Sequence, residues 1–226
     1  MYQSFVKRFF DIVVSTVALI VLAIPFLVIA AIIRLDSHGP VFFRQQRTGL
    51  NGDVFRIYKF RTMKEKAPHE MATSELCNAE DQITHVGAFL RKTSIDELPQ
   101  LINVFVGQMS IIGPRPVILS ETELIEMRHK NGADRVLPGL TGLAQVHGRD
   151  EVSNFKKASY DGVYALKVSA RTDTKITLRT VWYVLLHIGI REGKKESNGY
   201  IENSGTELKT ANKMHEIVKT SISSKG

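Results

Sequence analysis

Near its amino terminus the chain carries one long apolar stretch, and after it the apolar runs become short. Residues 12–33 contain no charged side chain. A straight helix of this length would measure about 33 Å, enough to cross a hydrocarbon core of about 30 Å. The run exceeds the apolar region of a signal peptide, and no small-residue cleavage site follows it before Arg34. The pattern therefore predicts a membrane-inserted helix.

Pro25 leaves two topologies open for this helix. It lies just past the middle of the run, where its missing N–H and its ring kink or break a helix. Basic residues flank the run, Lys7 and Arg8 before it and Arg34 after it, which favours a cytoplasmic position for both ends. A re-entrant helix that enters one leaflet and returns satisfies both features. A spanning helix kinked at proline is the alternative, because membrane helices tolerate proline.

Residues 39–63 alternate short apolar runs with turn residues. Asn51-Gly52 is the strongest hairpin signal in the chain and predicts an antiparallel strand pair. The segment is also crowded with cations. They indicate either a solvated edge that discourages strand pairing or a cationic surface that meets lipid or substrate phosphate. These cations are Arg44, Arg47, Arg56, Lys59 and Arg61.

Three further segments have a helical or apolar pattern. Apolar spacing predicts a short helix over 83–92, and residues 117–131 are typical of a surface helix. Residues 176–188 are apolar but too short to span a membrane. Their Trp182 suits an interfacial helix, and a buried core helix is the equally simple alternative. Residues 191–226 are polar and predict a partly mobile tail.

Two adjacent carboxylates, Asp96 and Glu97, lie at a predicted helix start between cations. Ser94 with Glu97 forms a capping-box pattern, whereas Pro99 favours a later start with Asp96 as the cap. Carboxylates in a first turn are commonplace, so alone they indicate a structural role. Arg115, fixed between two prolines after Gly113, is a rigid way to present a guanidinium to phosphate.

The amino-acid composition limits the chemical classes of binding partner that the chain favours. The 226 residues include 30 Lys and Arg against 23 Asp and Glu, with an isoelectric point near 9.5, which favours anionic partners. The basic residues are not interleaved with aromatics, so we expect no nucleic acid. Cys77 is the single cysteine, which excludes an internal disulfide.

Several linked blocks then identify a resemblance. The chain is similar to the bacterial sugar transferases, in the small monotopic form of the polyprenyl-phosphate phosphoglycosyl transferases. The similarity runs from about residue 5 to about residue 190. The matching blocks are Phe43 to Gly49, Ile57 to Met63, Arg91 to Asn103, Gly107 to Ser110, Gly113 to Pro116, Pro138 to Arg149, and Tyr160 to Tyr164.

The resemblance implies an activity and a set of site residues. Such an enzyme moves a sugar 1-phosphate from a UDP-sugar to undecaprenyl phosphate and releases UMP, as the first membrane step of surface glycan (exopolysaccharide) biosynthesis. Asp96 would be the nucleophile of a covalent phosphosugar-aspartyl intermediate, and Glu97 would hold Mg²⁺. Arg115 would contact phosphate. Further residues would line the substrate site: Lys59, Arg91, Gln145 and Arg149.

The resemblance also implies an architecture. We expect an α+β, predominantly helical fold, with residues 1–36 as a re-entrant membrane helix broken at Pro25. Residues 37–190 would form a small catalytic domain with interfacial amphipathic helices, on the cytoplasmic face of the bacterial inner membrane. Partners would be the UDP-sugar, undecaprenyl phosphate, the lipid bilayer and other glycan-pathway enzymes. A catalytically silent scaffold of a glycan assembly complex is the alternative function.

The chain departs from the family pattern at two positions near the predicted substrate site. Leu143 replaces the usual tryptophan, and His147 replaces the usual asparagine. We expect these changes to affect recognition of the nucleotide or the sugar, and they leave the Asp96, Glu97 and Arg115 positions intact.

Overall fold

A computed structural model describes residues 2–64, 82–148 and 152–185, and this part of the chain is mostly helical with two small two-stranded sheets. A π-helical turn at Tyr2–Val6 leads into the long helix α1 (Lys7–Asp36). The shorter α-helices are α2 (His85–Lys92), α3 (Leu101–Val106), α4 (Thr122–Asn131), α5 (Asn154–Leu166) and α6 (Ala170–Leu185). The predicted polar tail, 191–226, lies outside the described residues.

The predicted hairpin is confirmed. Strand β1 (Phe42–Thr48) pairs antiparallel with β2 (Val54–Phe60), with Thr48 opposite Val54. Asn51 and Gly52 adopt positive φ values of 54° and 84° in the connecting turn, which is why Asn-Gly suits this position. Alternation along β2 places Lys59 on the same face as Phe55 and Ile57, which are buried against Val104 and Met109. Lys59 therefore points toward the interior.

Helix α1 contacts the rest of the protein at both of its ends. At the first end, Arg8 donates to the carbonyl groups of Val104 (2.6 Å) and Phe105 (2.8 Å), which end helix α3. At the other end, Ile33 is buried with Phe60 and Leu90. The structure describes every residue from 16 to 32, and none of them is buried. The middle of α1 is thus a largely exposed apolar surface.

A buried polar network holds the first turns of α1. Lys7 Nζ lies 2.7 Å from Asp173 Oδ2, and the hydroxyl group of Tyr2 donates to the same oxygen. The Tyr164 hydroxyl lies 2.9 Å from Asp173 Oδ1 and 3.1 Å from the Ile112 carbonyl oxygen, and its one proton serves these acceptors in turn. Burial beside Asp173 raises the pKa of both tyrosines, which keeps the phenols protonated as donors.

The second sheet carries the turn that contains Arg115. Strand β3 (Ser110–Ile112) pairs in parallel with β4 (Gly139–Thr141). Asp11 of α1 accepts a hydrogen bond from the Ile111 N–H (2.9 Å), so this long apolar helix also contacts β3. A Cβ at Gly139 would lie 2.0 Å from the Gly113 nitrogen, which explains the glycine at this close approach.

The late apolar segment lies in α6 and contributes to the core, as one of the two sequence interpretations predicts. Ile176 of α6 is buried in the core with Ile112, Val136 and Tyr164. Leu178, Val181 and Trp182, on the same helix, are exposed. One face of α6 therefore belongs to the core and another presents apolar side chains outward.

Candidate active site around Asp96 and Glu97

Asp96 and Glu97 lie in a 3-10 helix, Ile95–Gln100, which joins α2 to α3. Ser94 occupies the N-cap position, as the earlier of the two predicted starts has it, but its side chain makes no capping hydrogen bond. The later start is wrong, because Asp96 is the second residue of the helix. Ser94 adopts the left-handed conformation, with φ of 56°, so the chain reverses there. The α-helix begins only after Pro99, at Leu101, since proline cannot donate an intrahelical hydrogen bond.

Glu97 accepts hydrogen bonds from two predicted site residues. Lys59 Nζ lies 2.9 Å from Glu97 Oε1. Arg115 binds the carboxylate in bidentate fashion, through Nη1 to Oε2 at 3.1 Å and through Nη2 to Oε1. The Glu97 side chain is only 11% exposed. Such a shielded, charge-assisted cluster is well ordered and fixes all three side chains.

Asp96 shares this electrostatic environment. It is buried, 8% exposed. Burial is the main cause that raises the pKa of its carboxyl group, and the neighbouring Glu97 raises it further. Lys59, Arg91 and Arg115 act in the opposite direction. The carboxylates and three cations predicted from the sequence are therefore brought into one site.

Arg91 and Gln145 flank the cluster. Arg91 Nε donates to Thr62 Oγ1 at 2.8 Å, which anchors the last turn of α2 to the end of the hairpin. The Gln145 amide is buried, and within the described residues neither its nitrogen nor its oxygen has a hydrogen-bond partner. A Cβ on Gly142 would lie 2.7 Å from Gln145 Oε1 and 2.0 Å from the Gly113 carbonyl oxygen. Gln145 thus lies beside the Arg115 turn with its polar atoms available.

The neighbouring loop places His147 in a defined orientation. His147 Nδ1 lies 2.8 Å from the Leu143 carbonyl oxygen, and Arg179 Nη1 lies 2.8 Å from Nε2. The carbonyl can only accept and the guanidinium can only donate, so these contacts select the neutral Nδ1–H tautomer. The ring stacks on Tyr160 at a centroid distance of 4.9 Å. Arg149 lies outside the described residues.

The donor set fits magnesium. Within the described residues no group of three or more His, Cys, Asp or Glu forms a metal-binding cluster. Mg²⁺, however, is commonly held by one or two carboxylates together with substrate phosphate oxygens and water. Asp96 and Glu97 supply two adjacent hard oxygen donors of this kind. Glu97 is occupied by Lys59 and Arg115 here, so an ion would share or exchange these contacts.

Sequence reasoning missed one buried pair next to the site. Arg128 of α4 donates to Asp161 Oδ2 of α5 through Nε (3.0 Å) and Nη2 (2.6 Å), and through Nη1 to the carbonyl oxygen of Arg115 (2.7 Å). The matching block around Tyr160 included Asp161, but nothing in the sequence joins it to Arg128. Pro25 lies inside α1, which continues through it as one helix from Lys7 to Asp36, so the predicted break in the helix at Pro25 is not observed.

The chain matches a known protein family over most of its length. The model of the family described as "Bacterial sugar transferase" matches residues 2–187. Exopolysaccharide production protein ExoY of Rhizobium meliloti is 39% identical over 81% of this chain and 87% of that protein.

Two longer relatives are named for transferase activities. UDP-glucose:undecaprenyl-phosphate glucose-1-phosphate transferase of Escherichia coli is 41% identical over 78% of this chain and 39% of that protein. Galactosyl transferase CpsE of Streptococcus agalactiae is 39% identical over 82% of this chain and 43% of that protein. The chain thus spans about two fifths of the length of each.

Proposed function

Because the chain belongs to the bacterial sugar transferase family, we propose that it transfers a sugar 1-phosphate from a UDP-sugar to undecaprenyl phosphate through an Asp96-linked intermediate. The observation that carries this proposal is the buried cluster in which Lys59 and Arg115 bind Glu97 beside Asp96. The E. coli relative is named for the same transfer with glucose. The sugar differs among relatives, since another is named a galactosyl transferase.

Two displacements at phosphorus account for the reaction. An Asp96 carboxylate oxygen attacks the phosphorus that carries the sugar, the bond to the bridging oxygen breaks, and UMP leaves with that oxygen and its electron pair. A phosphate oxygen of undecaprenyl phosphate then attacks the same phosphorus, and the Asp96 carboxylate leaves. Dividing the transfer lets each anionic substrate occupy the site in turn.

The cations around Asp96 make the attack feasible. An anionic carboxylate and a diphosphate repel each other, so Lys59, Arg91 and Arg115 would neutralise charge that develops on phosphate oxygens. Glu97 would hold Mg²⁺, which supplies Lewis-acid stabilisation of the phosphoryl oxygens when it is bound. The buried Gln145 amide, whose nitrogen and oxygen have no hydrogen-bond partner among the described residues, would hydrogen-bond the substrate near the Gly113 turn.

UMP release from a panel of UDP-sugars, including UDP-glucose and UDP-galactose, tests the proposal. With Mg²⁺ and undecaprenyl phosphate, Asp96→Asn should lower the rate by at least about 10³-fold. Asp53→Asn is the matched control, because Asp53 is an exposed aspartate in the hairpin turn. Full activity of Asp96→Asn would refute the nucleophile. A wild-type chain that releases no UMP from any sugar would favour the scaffold function instead.

A second measurement isolates the intermediate. Without undecaprenyl phosphate, the wild-type chain should retain label from a UDP-sugar labelled in the sugar and release one equivalent of UMP, since only the first displacement can occur. Glu97→Gln should raise the Mg²⁺ concentration for half-maximal rate by at least about tenfold. Activity that persists in excess EDTA would argue against the metal.

We further propose that α1 is re-entrant and keeps the site at the cytoplasmic surface of the inner membrane. The support is that both ends of α1 contact the same folded unit, through Lys7 and Arg8 at one end and Ile33 at the other. A helix that crossed the bilayer would separate these ends by about 30 Å of hydrocarbon.

Cysteine labelling distinguishes the two topologies. In a Cys77→Ser background, single cysteines at Ser4 and at His38 should both react with an impermeant maleimide in inside-out vesicles, and neither should react in right-side-out vesicles. Labelling of the two positions from opposite sides would establish a spanning helix. Pro25→Leu should favour the spanning form, because it restores the missing backbone donor.

A further inference from the structure

We propose that Arg128 is a positioning residue that acts through Arg115: its guanidinium holds the backbone of the turn that presents Arg115 to the active site. This inference rests on the proposed function for its consequence in catalysis. Its structural content, that Arg128 controls the position of Arg115, is independent of the reaction.

Arg128 divides its donors between two partners. Nε and Nη2 donate to Asp161 Oδ2, and Nη1 donates to the Arg115 carbonyl oxygen. Arg128 is 7% exposed and Asp161 is fully buried. The planar guanidinium fork makes this division possible, whereas the ammonium group of a lysine is a single point on a flexible chain.

The Arg115 turn depends on contacts to its carbonyl groups. Pro114 and Pro116 have no N–H, so they cannot donate to neighbouring elements. The carbonyl oxygens of the three successive residues accept instead: Pro114 from the Gly139 N–H (2.8 Å), Arg115 from Arg128, and Pro116 from Arg47 (3.2 Å). Arg128 provides the shortest of these bonds, and it acts on the residue whose side chain binds Glu97.

Packing alone does not immobilise the turn on the Arg128 side. A partly open pocket of about 100 Å³ lies there, and its lining includes Pro114, Arg128, Val136 and Pro138. Solvent can enter it, so it gives the turn fewer packing contacts than a filled core would. The hydrogen bond from Arg128 Nη1 supplies a defined restraint on the Arg115 backbone from this direction.

The pair is poorly arranged for stability alone. Both arginine nitrogens bind one oxygen of Asp161, and the other oxygen, Oδ1, is buried without a partner among the described residues. Apolar residues of similar volume can replace a buried ion pair with little loss of stability. If joining α4 to α5 were its whole role, lysine at position 128 would also neutralise Asp161. The bond to the Arg115 carbonyl needs the third nitrogen of arginine.

The test compares Arg128→Lys with Arg135→Lys, the same change at an exposed arginine just after α4. We expect Arg128→Lys to lower the rate of UMP release by about 10- to 100-fold, the range for a displaced positioning group. Arg135→Lys should stay within about twofold of wild type. In an Arg115→Lys background, adding Arg128→Lys should change the rate by less than about threefold, because coupled residues are not additive.

The second readout does not require activity. The ¹⁵Nε–¹H signal of Arg115, assigned by its loss in Arg115→Lys, should shift or broaden in Arg128→Lys and remain in place in Arg135→Lys. If Arg128→Lys fails to fold, Arg128→Met/Asp161→Asn removes both charges together and is measured in the same way.

The outcomes separate the two proposals. An unchanged Arg115 signal, or independent losses that multiply in the Arg115→Lys background, would overturn the positioning role. If the wild-type chain releases no UMP from any UDP-sugar, the proposed reaction is wrong. The Arg115 signal then still decides whether Arg128 positions the turn.

Discussion

Removal of the Asp173 carboxylate should loosen the amino-terminal end of α1 from the folded domain. Asp173 accepts from Lys7, Tyr2 and Tyr164, and the Lys7 and Asp173 side chains are 11% and 8% exposed. Asp173→Ala leaves a buried ammonium group without its counterion. Loss of one partner of a buried pair costs about 3–5 kcal/mol. For a chain of this size, that corresponds to a melting temperature lower by about 6–20 °C.

The measurement uses Trp182, the single tryptophan, which lies on the same helix as Asp173. Its fluorescence in detergent or nanodiscs should follow the unfolding of α6. Glu126→Ala is the matched control, because it removes the acidic partner of the exposed Lys130 pair. Exposed pairs contribute about 0–1 kcal/mol, so the control should unfold within about 4 °C of wild type.

The double variant Lys7→Met/Asp173→Leu separates the effect of the unpaired charge from the effect of packing. It removes both charges, so it should recover most of the stability lost in Asp173→Ala. If Asp173→Ala unfolds at the same temperature as Glu126→Ala, the buried pair does not hold α1. If the double variant is as unstable as Asp173→Ala, the loss comes from packing rather than from the unpaired ammonium group.

Three further substitutions test local features by thermal unfolding. Ser94→Gly should be neutral or should stabilise the protein by up to about 1 kcal/mol, because glycine adopts the positive φ at this position without strain. A lower stability would show that a contact of the Ser94 side chain outweighs this strain. Gly87→Ala should destabilise α2 by more than about 1 kcal/mol, since its Cβ would lie 2.1 Å from the Thr62 carbonyl oxygen, and wild-type stability would contradict this. Tyr164→Phe should cost about 1–3 kcal/mol, because it removes a buried hydroxyl group that bonds the Ile112 carbonyl, and an unchanged midpoint would show that bond to be dispensable.

Local patterns in the sequence predicted the elements whose conformation depends on residues adjacent in the sequence. Asn51-Gly52 correctly indicated the hairpin, because the tight turn that connects two antiparallel strands needs residues that accept positive φ. The apolar run before Arg34 correctly indicated a long helix. The favoured later helix start, with Asp96 as the cap, was wrong, whereas the alternative start placed Ser94 correctly at the N-cap position. The left-handed conformation of Ser94 has no reliable sequence signal in a non-glycine residue.

The family resemblance went further, because several blocks in fixed order predicted Asp96, Glu97 and Arg115 as one set of site residues, and the structure places them close together. What it could not supply was the partner of each side chain. Glu97 receives Lys59 from 38 residues earlier and Arg115 from 18 residues later. Arg128 meets Asp161 across 33 residues, and Lys7 meets Asp173 across 166. Periodicity carries no information about such pairs. They form only when packing of the helices and strands removes water around charges that must then be matched.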